Sequence, residues 1–177
     1  MVWGEWEKLG WSPIQYRLCL YDITTGIKEV IRTTSAPISI YPSDIQGYII
    51  TWQESMRYSK YYLYTLYYYN ISTGVTTCIV RDEHSPTGSS IDGNLIAYTS
   101  TKDGAYNFYL YDISTNTSKQ LTRSPSLKSG AVISNGKMAW IDQRNDPYGD
   151  VYMAFLDKTP PAKPVVVDEG EFTDSTT

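Results

Sequence analysis

The sequence predicts an all-β chain built from repeated four-stranded antiparallel sheets, and three observations carry this prediction. A short motif recurs at residues 20–26, 68–74 and 110–116, where it reads LYDITTG, YYNISTG and LYDISTN. Turn-forming Gly and Asn residues separate runs of aromatic and β-branched residues, which is typical of β-hairpins. No stretch of the sequence shows the apolar spacing of an amphipathic helix.

A strand ending in an aromatic residue precedes each motif, and a fourth such strand lies near the C-terminus. These aromatic anchors, Trp3, Trp52, Tyr98 and Trp140, are 49, 46 and 42 residues apart. A period in the forties indicates one supersecondary unit per repeat. A four-stranded meander of this length is typical of a β-propeller blade, whose sheet buries both faces against its neighbours. We therefore expect all four anchors to point into cores between blades.

The strands can be assigned in order if those of each blade are named A to D from the centre outwards. The A strands are predicted at 36–41, 87–91 and 130–134, and the B strands at 1–5, 48–53, 95–99 and 137–142. The C strands are predicted at 16–22, 61–70, 107–112 and 151–156, and the D strands at 28–32, 76–80 and 118–122. This assignment gives two complete blades flanked by two partial ones. The longer second C strand predicts an extended strand or a bulge.

The third unit resembles a known repeat. Residues 91–113 read IDGNLIAYTSTKDGAYNFYLYDI, and QLT follows at 120–122. This pattern resembles the repeat of the TolB-like β-propeller family, and residues 139–152 are similar to a variant common in archaeal and bacterial surface proteins. The resemblance covers about residues 1–157 and implies an architecture more than a function. Because propellers of this family usually have six or more blades, we expect the chain to be part of a six- to eight-bladed propeller.

The two ends of the chain suggest a larger parent protein. Within residues 158–177, TPPAKP at 159–164 is a stiff and extended proline segment, and the residues after it resemble the lead-in to an immunoglobulin-like or fibronectin-like module. We therefore expect propeller blades over 1–157 and a linker over 158–177. The N-terminus lacks the pattern of a signal peptide. We expect that signal to lie upstream, in a protein of the cell envelope or the extracellular space.

Charge and composition exclude several classes of function. The net charge is −4 and the pI about 4.9, without clustered Lys or Arg, which disfavours nucleic acid as a partner. No apolar run approaches the length of a membrane helix, so no membrane insertion is expected. The single histidine, His84, excludes a zinc site with several imidazoles, and no G-x-S-x-G motif supplies a nucleophile. We expect neither catalysis nor a cofactor.

The two cysteines, Cys19 and Cys78, fall in different predicted blades, on strands C and D. Since a disulfide requires its two Cα atoms to lie within about 7 Å, both are interpreted as lone packed thiols.

Aromatic residues near the B-to-C connections form the first candidate site. Because a propeller collects these connections on one face, their side chains could stack on sugar rings or anchor a protein partner. The alternative is that they pack between blades. We expect Trp11 and Tyr106 to be the most exposed members of the predicted set, which is Trp6, Trp11, Tyr58, Tyr106 and Tyr148.

The last B-to-C connection offers a second, weaker candidate. Asp142, Asn145, Asp146 and Asp150 could supply oxygen ligands to a hard cation such as Ca²⁺. The favoured alternative is a turn whose Asx side chains cap backbone groups, because the other connections lack a matching acidic set. No metal is therefore expected.

These observations favour a non-catalytic propeller module that binds a protein or a glycan on one face. Two alternatives remain: the accessory propeller of an oligopeptidase-like hydrolase whose catalytic domain lies outside the chain, and a periplasmic TolB-type scaffold. The partial blades leave strand edges open, so we also expect self-association.

Overall fold

A computed structural model describes residues 1–8, 13–82, 86–102 and 104–156. Within these ranges the chain forms antiparallel strands and no helix. The strands are β1 (Val2–Glu7), β2 (Gln15–Asp22), β3 (Ile27–Ser35), β4 (Ile38–Gln46), β5 (Ile49–Tyr58), β6 (Tyr61–Asn70), β7 (Val75–Asp82), β8 (Thr87–Asp92), β9 (Leu95–Ser100), β10 (Asn107–Asp112), β11 (Thr117–Gln120), β12 (Lys128–Ser134), β13 (Lys137–Asp142) and β14 (Asp150–Phe155). No helix in the described part of the chain is long and apolar enough to cross a membrane.

The strands form four sheets in which hydrogen-bonded neighbours follow the order of the chain. The first sheet is β1 to β3, the second β4 to β7, the third β8 to β11 and the fourth β12 to β14. These are two complete four-stranded meanders flanked by two three-stranded ones. The first sheet lacks an A strand and the fourth lacks a D strand among the described residues, which confirms the predicted arrangement.

The recurring motif is explained by the turn between strands C and D. Asp22, Asn70 and Asp112 each accept a hydrogen bond from the backbone N–H two residues later, at 2.8, 2.9 and 2.8 Å. Gly74 closes its turn with a positive φ of 69°, and Asn116 takes the same place with a φ of 55°. Gly and Asn adopt this conformation at the lowest cost, so the motif encodes a tight turn that sets the strand register.

The second sheet contains the long hairpin that the sequence predicts. Strands β5 and β6 are 10 residues each, and Tyr58 pairs with Tyr61 across a two-residue turn. A register shift between Leu66 and Tyr67 marks a bulge towards β7. Both predicted features, the extended strand and the bulge, are therefore present.

Three hydrophobic cores lie between successive sheets. Trp52, Tyr98 and Trp140 are buried, and each faces the preceding sheet. Each stacks on the aromatic ring directly opposite on strand C, with ring centroids 5.3, 5.5 and 6.0 Å apart. The prediction that the anchors point into cores is confirmed for these three.

Trp3 differs from the other anchors because it is only half-buried. The described residues contain no sheet on the side that Trp3 faces. Lys28 lies over its ring, with the ammonium 5.4 Å from the ring centroid, and Cys19 takes the position opposite it on strand C. The long side chain of Lys28 thus partly covers Trp3.

The two cysteines are free thiols, and they differ in exposure. Cys19 is buried, as predicted. Cys78 is exposed, so its interpretation as a packed thiol is wrong. Cys78 lies on β7, the outermost strand of the second sheet. Only one edge of β7 is paired, with β6.

Candidate functional site

One end of the four sheets, which we call the loop face, carries the connections from strand B to C and from strand D to A. Among the described residues, the B-to-C connections are 8 with 13–14, 59–60, 101–102 with 104–106, and 143–149. The D-to-A connections are 36–37, 86 and 121–127. Successive strands of a meander alternate in direction, so these connections must emerge at the same end. The turns from A to B and from C to D emerge at the other end.

The predicted aromatic residues occupy different places. Tyr106 and Tyr148 lie in B-to-C connections and are 41% and 92% exposed. The prediction that Tyr106 is among the most exposed members is therefore wrong, since Tyr148 and Trp6 are more exposed. Trp6 and Tyr58 are also exposed, but they lie in strands β1 and β5 rather than in connections, which corrects the prediction. The reason is that both strands extend further than the sequence indicates. Trp11 lies outside the described residues.

A cavity of about 450 Å³ opens at the loop face between the third and fourth sheets. Strands β8 and β12 begin here, and Gly88 and Gly130 adopt positive φ values of 52° and 67°. Register shifts at both places take backbone N–H and C=O groups out of the sheet ladder. Of the predicted aromatic residues that the structure describes, Tyr106 alone lines the cavity. The full lining is Gly88, Ser89, Thr99, Tyr106, Leu127, Lys128, Ser129, Gly130 and Ala131.

Lys128 holds the wall of this cavity in place. Its buried ammonium donates to the backbone carbonyls of Ser124, Ser126 and Tyr106 at 2.5, 2.9 and 3.3 Å. Burial lowers the pKa of Lys128, and the nearby carboxylate of Asp142 opposes that shift. Because three carbonyls match the three ammonium protons, this lysine ties the two connections together and does not offer a free charge to a ligand.

Asp142 links the connection that contains Ser126 to the one that contains Arg144. Its buried carboxylate accepts hydrogen bonds from Ser126 Oγ at 2.5 Å and from Arg144 Nη2 at 2.6 Å. Trp140 Nε1 also donates to it, at 3.4 Å. Burial acts to raise the pKa of Asp142, but the hydrogen bonds from Arg144, Ser126 and Trp140 outweigh it, so the pKa lies below its ordinary value. The carboxylate is therefore fully engaged within the protein.

The second sheet shares one feature with this network, a contact between a Trp and a nearby acid that was not predicted from the sequence. Trp52 Nε1 donates to Glu54 two residues later at 3.3 Å, as Trp140 does to Asp142. Glu54 binds Arg32 of the preceding sheet through bonds of 2.7 and 3.3 Å. The available signal was a Trp followed two residues later by an acid, since these positions share one face of a strand. Trp3 and Glu5 show the same spacing.

The four candidate cation ligands have other partners or lie apart. Besides the engaged Asp142, Asn145 Nδ2 donates to the Tyr152 hydroxyl at 2.9 Å, and Asp146 accepts from the Tyr148 backbone N–H at 2.6 Å. Asp150 is exposed at the start of β14. In the part of the chain that the structure describes, no group of three or more His, Cys, Asp or Glu residues has a metal-binding arrangement. The Asp146 contact is the Asx cap of the alternative interpretation.

Calcium should leave the thermal stability of the protein unchanged. A cation that binds only the folded state raises stability in proportion to RT ln(1 + [L]/Kd), so a real site would respond to millimolar Ca²⁺. We expect the same melting midpoint with Ca²⁺ and with a chelator, measured by circular dichroism. A rise that disappears in an Asp146→Ala variant would show that the connection binds the ion.

Comparison with known proteins shows the fold. No family model matches the sequence, and no curated protein matches it either. The structure is similar to TolB from Acinetobacter baumannii, with a TM-score of 0.57 and 21% identity over 82% of this chain and 39% of that one. A putative TolB from Agrobacterium tumefaciens is similar with a TM-score of 0.56 and 16% identity, over 88% of this chain and 57% of that one. An oligogalacturonate lyase in complex with manganese is similar with a TM-score of 0.58 and 12% identity, over 82% of this chain and 47% of that one.

These similarities confirm the predicted β-propeller fold. The chain spans 39% to 57% of the lengths of these three structures. At these identities the likeness is one of fold, and function has to be argued from the loop face.

Proposed function

We propose that the chain is a non-catalytic β-propeller module that binds a protein or a glycan at its loop face, within a multidomain protein of the cell envelope or the extracellular space. The observation that carries this proposal is the cavity between the third and fourth sheets, with the exposed side chains of Tyr106 and Leu127 at its rim. Its volume is in the range of about 300–1,000 Å³ that small ligand sites occupy.

The chemistry of the lining favours an uncharged ligand segment. Tyr106 offers a ring and Leu127 an aliphatic surface, while Gly88, Gly130 and Ala131 leave room for close approach of the backbone. Backbone groups released from the ladder at the two bulges supply donors and acceptors. Lys128 has its charge balanced by carbonyls. A sugar ring or an extended peptide segment meets these conditions, since both combine apolar faces with amide or hydroxyl groups.

The buried carboxylates support a role without catalysis. Glu54 is bound by Arg32 and Trp52, and Asp142 by Arg144, Ser126 and Trp140. Glu54 joins two sheets and Asp142 joins two connections, so both carboxylates have a structural role. Binding at the loop face is also compatible with the two alternatives, the accessory propeller of a hydrolase and a periplasmic TolB-type scaffold. In both alternatives this chain would bind a partner or a substrate and would not catalyse a reaction.

A binding experiment with matched variants tests this proposal. The native chain, Tyr106→Ala and Tyr148→Ala are titrated with cellotriose, chitotriose and a set of uncharged unstructured peptides, and amide shifts are followed by NMR. We expect one probe class to shift the amides of Gly88 and Gly130 in the native chain and in Tyr148→Ala. In Tyr106→Ala the affinity should fall at least roughly tenfold, which corresponds to about 1.4 kcal/mol.

Tyr148 is the control because it is more exposed than Tyr106, lies on the same face and is not part of the cavity lining. Binding that survives in Tyr106→Ala, or that is lost equally in both variants, would contradict the assignment of the site to this cavity.

A further inference from the structure

The hairpin of strands β5 and β6 extends further at the loop face than the B–C hairpins of the other sheets. Strand β5 ends six residues after its anchor Trp52, whereas β9 and β13 each end two residues after their anchors. At about 3.3 Å per residue, its paired strands continue roughly 13 Å further than those of the third and fourth sheets. We call residues 56–64 the hairpin tip. The second sheet packs against a sheet on either side, so the exposure of the tip does not arise from an end of the chain.

Tyrosine side chains lie on both faces of the hairpin tip. Tyr58 and Tyr61 pair across the turn and their rings stack, with centroids 5.2 Å apart. Tyr62 points to the opposite face, where its ring stacks on Tyr64 with centroids 5.9 Å apart. Tyr58, Tyr61 and Tyr62 are 40–49% exposed. Several large exposed rings on one projecting element form an apolar patch of the kind that marks an interaction site.

The hairpin tip also carries positive charge. It contains Arg57 and Lys60 and no Asp or Glu, in a chain whose net charge is −4. Both side chains are exposed, and neither forms an ion pair in the part of the chain that the structure describes. Arg57 lies directly opposite Tyr62 across the two strands, so its charge shares a face with an exposed ring. The tip therefore combines aromatic surface with two charges that no carboxylate balances.

Shape and composition favour a protein segment as the ligand of this tip. Sites for small ligands are concave, whereas the hairpin tip projects from the loop face. Tyr and Arg are among the residue types that contribute most binding energy at protein interfaces. The charge of the tip complements Asp and Glu side chains, and a guanidinium such as that of Arg57 can bind a carboxylate through two parallel hydrogen bonds. A flexible segment can wrap a projecting surface because it orders only on binding.

We propose that the hairpin tip is a docking site for an acidic, extended segment of a protein partner. Carboxylates of the segment pair with Arg57 and Lys60, and its apolar side chains pack on Tyr58, Tyr61 and Tyr62. None of these residues lines the cavity between the third and fourth sheets. This docking site is therefore independent of the proposed function, and either can fail without the other.

An NMR titration with matched peptides tests the docking site. The probe is the acetylated and amidated peptide GELEGELEG, and its neutral match is GQLQGQLQG. Both are added at low ionic strength to the native chain, Arg57→Glu, Tyr61→Ser and Lys119→Glu. Lys119→Glu is the control because it reverses the same charge at an exposed position of β11, outside the hairpin tip. Circular dichroism checks that each variant is folded.

We expect the acidic peptide to shift the backbone amides of residues 57–62 in the native chain and in Lys119→Glu. The affinity should fall at least roughly fivefold in Arg57→Glu, where attraction becomes repulsion, and at least roughly threefold in Tyr61→Ser. The neutral peptide should bind more weakly because it has no carboxylates. Added salt should weaken binding of the acidic peptide, since exposed charges are screened.

Three results would overturn the proposal. Amides of residues 57–62 that do not respond to the acidic peptide would show that the tip is not a docking site for such segments. Equal losses in Arg57→Glu and Lys119→Glu would show attraction to positive charge anywhere on the surface. Trigalacturonate that shifts these amides when the acidic peptide does not would assign the tip to an acidic glycan. The amides of Gly88 and Gly130 report on the cavity in the same spectra, so these results leave the test of the proposed function intact.

Discussion

Replacing Trp140 with alanine should lower the free energy of unfolding by about 3–5 kcal/mol, the range for removing a large core aromatic. The ring packs edge-on against Phe108 of the third sheet and stacks on Tyr152 of its own sheet, with centroid distances of 6.0 Å in both cases. Its removal would leave a cavity between two sheets and take one donor from Asp142. Urea denaturation followed by far-UV circular dichroism measures the change.

Trp6→Ala is the matched control for this experiment. Trp6 is also a strand B tryptophan, but it is exposed, so its loss should change the free energy of unfolding by no more than about 0.5 kcal/mol. Equal losses in the two variants would mean that the strand register is wrong.

Asp142→Ala should cost about 3 kcal/mol at neutral pH, at the lower end of the range for breaking a buried ion pair. The change removes the acceptor of Ser126, Trp140 and Arg144 together and loosens the connection over 121–127. The loss is at the lower end because Arg144 stays partly in contact with solvent. Asp150→Ala, an exposed aspartate at the other end of the same connection, should have little effect.

The effect of Asp142→Ala should depend on pH. The folded-state pKa of Asp142 lies below its ordinary value, so the carboxylate contributes stability that is fully present above the unfolded-state pKa of about 3.9. This contribution is lost as the pH falls through the folded-state pKa. The difference between the native chain and the variant should therefore be constant near neutrality and shrink in acid. A difference that grows in acid would contradict the network.

The blade pattern could be predicted from sequence because local chemistry encodes it. The side chains of Asp22, Asn70 and Asp112 cap the turns, and Gly or Asn supplies the positive φ, all within a few residues. The aromatic anchors could also be found from sequence, because each sheet contributes one anchor and the number of residues in a sheet sets the spacing between them.

The candidate site was less predictable because it depends on contacts between distant residues. Its own segment makes Asp142 only a weak candidate metal ligand, and its partner Ser126 lies 16 residues away. The exposure of Cys78 and the strand positions of Trp6 and Tyr58 depend on where strands end and what lies beside them. The cavity is lined by residues from two different sheets, so only Tyr106 among its lining residues had a signal in the sequence.

The propeller arrangement requires that successive sheets pack through their aromatic anchors. Aromatic NOEs of Trp140 measure this in one experiment, and the contact to Tyr152 within the fourth sheet serves as the internal standard. We expect NOEs from Trp140 to Phe108 of the third sheet and, in the same spectrum, from Tyr68 to Tyr111 between the second and third sheets. NOEs from Trp140 to Tyr152 without any to Phe108 would contradict the propeller arrangement.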